Sequence, residues 1–405
     1  MPEAVIVSAT RTPIGRAFKG SLKELRPDDL TATIVRAALD KIPELDPDDI
    51  DDLYLGCGLP GGESGFNMGR VVAVLLGYDH LPAATITRYC SSSVQTTRMA
   101  FHAIKAGEGE VFVSAGVETV SRFAKGSSDS HPDTENPLFG SAKARTEKLA
   151  QGGVNWQDPR EQGTVPDIYV AMGQTAENVA RLRGLSRREL DEFGVRSQNL
   201  AEKANQEGFW AREITPVTAP DGTEVTRDDG PRAGVTLEAV SDLKPVFRPD
   251  GVVTAGNCCA LNDGAAAVVV MSDAKAAELG LTPLARVVST GVTALSPEIM
   301  GLGPVEATQQ ALRRANMTIA DIDLVEINEA FAAQVVPSYQ DLGIDLEQLN
   351  INGGAIAVGH PFGMTGARLQ NTMINSLQWH DKQTGLITMC VGGGQGMALI
   401  LERLS

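Results

Sequence analysis

Cysteine is scarce in this chain and poorly spaced for metal binding: five among 405 residues, an odd number, with no C-x-x-C or C-x-x-H arrangement. Neither a disulfide framework nor a metal site is expected, and a reducing compartment fits. Basic residues are also in deficit, 35 Lys and Arg against 51 Asp and Glu, for a net charge of −16. Such a chain repels phosphate backbones, which argues against a nucleic-acid partner. An anionic ligand would have to be met by a local basic patch or by helix N-termini. Long apolar runs are missing as well. The opening MPEAVIVSATRTP is too short for a signal sequence or a membrane span, and no later stretch reaches spanning length without charges. Membrane insertion is not expected, and a cytoplasmic location is the default.

Glycine, by contrast, is plentiful: 42 residues with no repeat period, so several places need sharp turns or close backbone approach. The length calls for two or three packed units. Two regions resemble each other. DDLTATIVRAALDKI reads as an amphipathic helix followed by an acidic turn and the strand DLYLG; PVEATQQALRRANM followed by IADIDLVEIN repeats that order. ATITRYC then leads into SSSVQTTRMAFHAIKAGE and EVFVSAG, as NINGGAIAVGHPFGMTGARLQNTMINSL later leads into GLITMCVGG. Two copies of one α/β unit are the simplest account. Residues 1–120 with about 250–275 would form one half and 276–405 the other. Residues 121–249 read as an insertion: a polar excursion, SRFAKGSSDSHPDTENPLFG, and then helices, one opened by a capping box from Ser186 and Glu189.

Cys90 falls where an apolar strand hands over to a helix beginning with serines. The positive end of a helix dipole would lower its thiol pKa and favour the nucleophilic thiolate. A buried structural cysteine is the competing reading. His360, flanked by glycines and a proline, occupies the equivalent corner of the second copy, where a pseudo-twofold arrangement would bring it toward the thiol. Cys390 ends the strand GLITMC and enters VGGGQG, whose N–H groups can face a developing oxyanion. A dinucleotide loop is disfavoured there, because the chain ends soon afterwards with no crossover helix. Asn328 ends the strand DLVEI, where its amide would position a water or an oxygen.

Taken together, VIVSATRTPIGR, TRYCSSSVQ, GVETVSR, MGQTAENVA, PVFRPDGVVTAGN, LNDGAAAVVVMS, EINEAFAAQ, NGGAIAVGHPFGMTGAR and CVGGGQG resemble the thiolase family, in the family's order and over nearly the whole chain. The resemblance implies an α/β fold of duplicated units in five layers, αβαβα, with the insertion serving as a loop and CoA-binding subdomain. It implies an acyltransferase that cleaves 3-ketoacyl-CoA with coenzyme A, or runs the reverse Claisen condensation, through an acyl-cysteine. Cys90 would carry the acyl group, His360 would receive its proton, and Cys390 would act as acid and base on the α-carbon. Asn328 would hold a water in one oxyanion hole, and the N–H groups of Cys90 and Gly392 would form the other. Met172, Phe247, Ala255, Met300, Ala330 and Phe331 would line the pantetheine passage. Cys259 stands where a serine commonly contacts the cofactor's amide. Coenzyme A and acyl-CoA enter as substrates, with no permanently bound cofactor and no metal, and a homodimer or homotetramer is implied. GESGFNMGR and Ala171 tilt the reading toward the degradative branch, with a biosynthetic acetoacetyl-CoA enzyme or a non-catalytic acyl-CoA-binding relative as alternatives. Chain-length preference would depend on the excursion at 124–165.

Overall fold

The structure, a computed structural model, describes residues 2–126 and 134–405; the part of the polar excursion at 127–133 lies outside the described residues. The first half begins with β1 (Ala4–Arg11) and the short β2 (Gly15–Arg16). It continues through α1 (Pro27–Leu39), β3 (Asp52–Cys57), α2 (Met68–Leu76), β4 (Ala83–Ile86), α3 (Ser92–Ala106) and β5 (Val111–Thr119). The insertion contributes α4 (Gly140–Ala150), α5 (Met172–Leu182), α6 (Arg187–Gln206), the paired β6 (Val217–Thr218) and β7 (Glu224–Val225), and α7 (Leu237–Ser241). The chain then returns to the first half with β8 (Asn262–Ser272) and α8 (Asp273–Glu278). The second half runs β9 (Ala285–Ala294), α9 (Gly303–Ala315), β10 (Leu324–Ile327), α10 (Ala332–Leu342), α11 (Ala355–Val358), α12 (Thr365–Trp379), β11 (Thr384–Val391) and β12 (Gln395–Arg403).

The strands lie in the order β10-β11-β12-β9-β1-β8-β5-β3-β4, with β2 paired to β8. Read outward from the middle, β1-β8-β5-β3 matches β9-β12-β11-β10. Both arms end in parallel pairs, and a lone parallel bridge from Val325 to Leu349 stands where β4 pairs with β3. The arms join at a seam of only two register positions, Val5 with Arg286 and Ile6 with Ala285. Strands β1, β5 and β8 are buried at every position, which explains their unbroken runs of small and β-branched residues in place of alternation.

Layering follows from which helices are wet. In α1, a proline at the first turn and Asp28 and Asp29 beside it suit a helix N-terminus, and one apolar face packs on the sheet while the other meets water. Helix α9 does the same on the other arm. Helix α12 is different: Thr365 to Leu377 are all buried, because it lies beside α3 between the two arms of sheet. Small residues allow that approach. A Cβ on Gly366 would come within 2.3 Å of the Val94 nitrogen, and the Ala367 N–H donates to Ser93 Oγ at 2.8 Å. The N-terminal ends of α3 and α12 therefore touch, and each is preceded by one of the reactive residues. The insertion is pinned to β1 by Arg11, whose buried guanidinium bonds both Glu213 (2.5 Å) and Asp228 (2.7 Å). Its longest helix, α6, opens with the reciprocal capping box of Ser186 and Glu189.

Candidate active site

Cys90 lies in a single 3-10 turn, Tyr89–Ser91, between β4 and α3. Tyr89 holds φ at 43°, a left-handed conformation costly for an aromatic residue, so the backbone strain sits immediately beside the thiol. Ser91 is the N-cap of α3 but makes no side-chain cap bond; its hydroxyl donates back to the Arg88 carbonyl, and Ser92 Oγ donates to the Tyr89 carbonyl at 2.6 Å. The serines brace the turn rather than cap the helix. The N–H groups of Cys90 and of Gly392 are directed at the Cys90 sulfur. The expectation of an acidified thiol is overturned. Burial, with help from Glu118, pushes Cys90 up to about 12, and the two N–H donors do not offset the loss of solvation. Cys90 is a neutral thiol at rest, and its proton must leave during attack.

His360 follows α11 in the glycine-rich loop that leads to α12. Its Nδ1 is 2.7 Å from Thr365 Oγ1, which donates its own proton to the Pro361 carbonyl at 2.7 Å, so Nδ1 must be the protonated nitrogen. That leaves the Nε2 lone pair facing Asn328 Nδ2 at 3.3 Å, the tautomer a proton acceptor needs. Burial, with help from Arg368, pushes the imidazolium down to about 3. Below pH 6.5 the unfolded chain binds a proton that the folded site refuses, so wild-type stability is lost as pH falls from 6.5 toward 3. The variant His360→Gln lacks this liability. Between about pH 7.5 and pH 5 it should gain on the wild type by about 2 kcal/mol in denaturant unfolding. Parallel pH profiles for the two proteins would mean that the ring is not held neutral by its surroundings.

Cys390 is fully buried near the end of β11, and burial raises its thiol well above the ordinary value, with Cys90 close enough to add to the shift. The glycines that follow form the turn of the β11–β12 hairpin, with Gly393 and Gly394 at φ 77° and 79°; an antiparallel return replaces the helix that a dinucleotide loop would need. Cys259 is raised for the same reason, and Cys258, Cys90 and Cys390 all act on it, so three thiols from distant positions share one neighbourhood.

Cys90 and Gly392 line a cavity of about 490 Å³ together with Leu59, Tyr89, Val170, Met172 and Phe362. His360 meets it through Phe362, whose ring packs edge-on at 5.3 Å. Of the residues expected along the pantetheine passage, Met172 lines this cavity. Phe247 and Phe331 pack edge to face at 6.0 Å, and Met300 and Ala330 are buried in the same apolar cluster. The Ala330 carbonyl accepts from the Cys259 N–H, and Ala255 is exposed.

Three side chains that organise the site were not singled out from the sequence. Glu118 closes β5 and accepts from the N–H groups of Gly58 (2.8 Å), Leu59 (3.3 Å) and Gly363 (2.9 Å); burial holds it up at about 7. Glu298 accepts from Trp156 Nε1 (2.6 Å) and the Asp167 N–H (2.7 Å), fixing the segment that brings Ile168 and Val170 to the cavity. Glu329 accepts from Ser197 Oγ (2.6 Å) and the Ile356 N–H (3.0 Å). For Glu118 the available signal was a lone acidic residue in the otherwise apolar strand VFVSAGVET; Glu298 and Glu329 lie outside the strands.

Duplicated arms around a shared helix layer, with a cysteine corner facing a histidine loop, define a thiolase-fold protein. The crystal structure of the Bacillus anthracis acetyl-CoA acetyltransferase aligns over 100% of this chain and 99% of its own, with TM-score 0.86 and 37% identity. The dimeric peroxisomal thiolase of Saccharomyces cerevisiae aligns over 99% and 97%, with TM-score 0.88 and 33% identity. Residues 4–274 match the thiolase N-terminal domain and residues 281–403 the thiolase C-terminal domain. The 3-ketoacyl-CoA thiolase of Bacillus subtilis (strain 168) is 41% identical over 99% of this chain and 100% of its own. The β-ketoadipyl-CoA thiolase of Acinetobacter baylyi is 40% identical over 100% of both. The chain belongs to the thiolase family. It is an acyltransferase that uses coenzyme A thioesters and coenzyme A as substrates, without a permanently bound cofactor.

Proposed function

We propose that this acyltransferase works in the direction of chain shortening, as in fatty-acid β-oxidation, with Cys90, His360 and Cys390 as its reactive groups. The observation that carries the reading is the pair of N–H groups, one from each half, aimed at the Cys90 sulfur on the wall of a largely apolar cavity. Cys90 attacks the 3-keto carbon of the substrate, its proton passing to Nε2 of His360, while the N–H groups of Cys90 and Gly392 take up the charge on the oxygen. The C2–C3 bond breaks toward C2. The resulting enolate is stabilised on the Asn328 and His360 side, and Cys390 protonates it to acetyl-CoA. A second coenzyme A gives its proton to the Cys390 thiolate and displaces the acyl group from Cys90, which recovers its proton from His360. Protons and electrons balance, and no cofactor is consumed.

Met172, Phe247, Ala255, Cys259, Met300, Ala330 and Phe331 are read as the pantetheine contacts; the apolar cluster formed by several of them beside Cys259 supports this. A homodimer or homotetramer is supported by the dimeric yeast neighbour and by Phe66, which is 95% exposed beside Val74 and Leu75. Five free thiols suit the cytoplasm. No helix among the described residues is long and apolar enough to cross a membrane. Residues 1–120 with about 250–275, 121–249 and 276–405 are read as the three units; separate apolar clusters support the two halves, with α5 and α6 of the insertion packed into the cluster of the second.

Thiolysis of 3-ketoacyl-CoA esters of graded length tests the reading, combined with iodoacetamide labelling. Cleavage should be seen, and alkylation of Cys90 should be blocked by acyl-CoA. A protein that cleaves no ester in the series, or whose Cys90 is alkylated equally with and without acyl-CoA, is not described by this mechanism.

A further inference from the structure

The loop that carries His360 is suspended between two buried carboxylates. At its start, Glu329 accepts from the Ile356 N–H, and a Cβ on Gly354 would lie 2.2 Å from the Glu329 carboxyl carbon. At its end, Glu118 accepts from the Gly363 N–H. The first is a neighbour in the same half; Glu118 reaches across from the other. The same carboxylate also takes the N–H groups of Gly58 and Leu59, in the loop that follows β3. Leu59 and Phe362, one on each of these loops, both line the cavity that contains Cys90. Among the described residues Glu118 forms no ion pair, so these N–H groups and the Cys57 thiol, 3.8 Å away, are its polar partners.

The packing around the carboxylate leaves no slack. A Cβ on Gly58 would sit 2.6 Å from Glu118 Oε2 and 2.9 Å from the Phe362 Cβ. A Cβ on Gly116 would sit 2.2 Å from the Gly363 carbonyl, and one on Gly363 would sit 2.7 Å from the Gly56 carbonyl. The two loops are thus pressed against β3 and β5 by missing side chains and are joined there by one carboxylate. An apolar residue of similar volume would leave three buried or part-buried N–H groups without an acceptor. Apart from the Cys57 thiol, the carboxylate is bonded only to two loops that each contribute a residue to the wall of the reaction cavity.

We propose that Glu118 is a positioning residue of the acyl-transfer site: its carboxylate sets the spacing of the Leu59 and Phe362 walls and the seat of the His360 loop, and so controls how the acyl chain is held over Cys90. It touches neither substrate nor reacting atoms. The inference rests on the thiolytic function proposed above, and it concerns the acyl end of the cavity rather than the coenzyme A end.

The test compares wild type with Glu118→Gln and Glu118→Asp in thiolysis of 3-ketoacyl-CoA esters of increasing length. Glutamine keeps the shape but turns an NH2 group toward N–H donors; aspartate keeps the charge but falls short by one methylene. In Glu118→Gln, KM for the 3-ketoacyl-CoA should rise about 10-fold or more and kcat should fall, while KM for coenzyme A stays within about 2-fold. The wild-type ranking by chain length should flatten, and Glu118→Asp should recover part of the loss. Rates are expressed per Cys90 that acyl-CoA protects from alkylation, so unfolded protein is not counted. Loss confined to the number of active sites, with KM and chain-length ranking unchanged, would make Glu118 merely structural and overturn the proposal. So would equal rises in KM for both substrates. Cys90 alkylation without substrate gives a readout independent of thiolysis. Loosened walls and a lost negative charge should speed it at least about 3-fold in Glu118→Gln, and an unchanged rate would count against the proposal even if the function reading fails for the wild type.

Discussion

Alanine in place of Cys90 should lower turnover of a 3-ketoacyl-CoA by about 10⁴-fold or more, equivalent to about 5.5 kcal/mol of transition-state stabilisation. The structure gives the reason for so large an effect. The N–H groups of Cys90 and Gly392 converge on that one sulfur, so a water entering the variant has donors to bind but no covalent carrier to form. Stability should be nearly unaffected, because the lost atom faces the cavity, where solvent can take its place. The measurement is steady-state thiolysis with intact mass under substrate: wild type should show one acyl adduct and Cys90→Ala none. Activity within about tenfold of wild type in the variant would end the assignment of Cys90 as nucleophile.

Cys390→Ala should divide the reaction. Cleavage of the carbon–carbon bond needs an acid for the departing carbon, and burial keeps the Cys390 thiol protonated at working pH, which is the form that can supply that proton. Cleavage should fall about 10³-fold. Exchange of an acyl group between acyl-CoA and free thiol protonates no carbon and loses only the acceptor of the thiol proton, a role solvent can take, so it should stay within about tenfold of wild type. Both rates falling together would show that the two sulfurs act as one unit. Neither falling would remove Cys390 from the chemistry.

The duplication was legible because each copy keeps local signals that survive without tertiary context: a proline-and-acid helix start in α1, and the turn-then-strand runs into β3 and β10. The two corners were legible for the same reason, since strand-to-helix transitions are local. Other features were not. Helix α12 carries Arg368, Gln370, Asn371 and Asn375 on faces that all prove buried, so its pattern does not announce a central layer. The acidity of Cys90 was misjudged because a helix end can be read from residue types, whereas desolvation depends on neighbours hundreds of positions away. What Glu118 and Glu298 bond to was invisible on the same account. Their partners, Gly363 and Asp167, lie 245 and 131 positions off, and no local motif encodes such pairs.

The seam between the arms has one more implication. With only Val5 and Ile6 laddered to Ala285 and Arg286, hydrogen bonding across the midline contributes little to holding the arms together. Cohesion between them falls to the interlocked α3 and α12. Thiol and imidazole are therefore inherited from separate lobes, and neither lobe in isolation owns a working centre. During biosynthesis competence therefore waits for the second lobe, because His360 and Cys390 leave the ribosome long after Cys90.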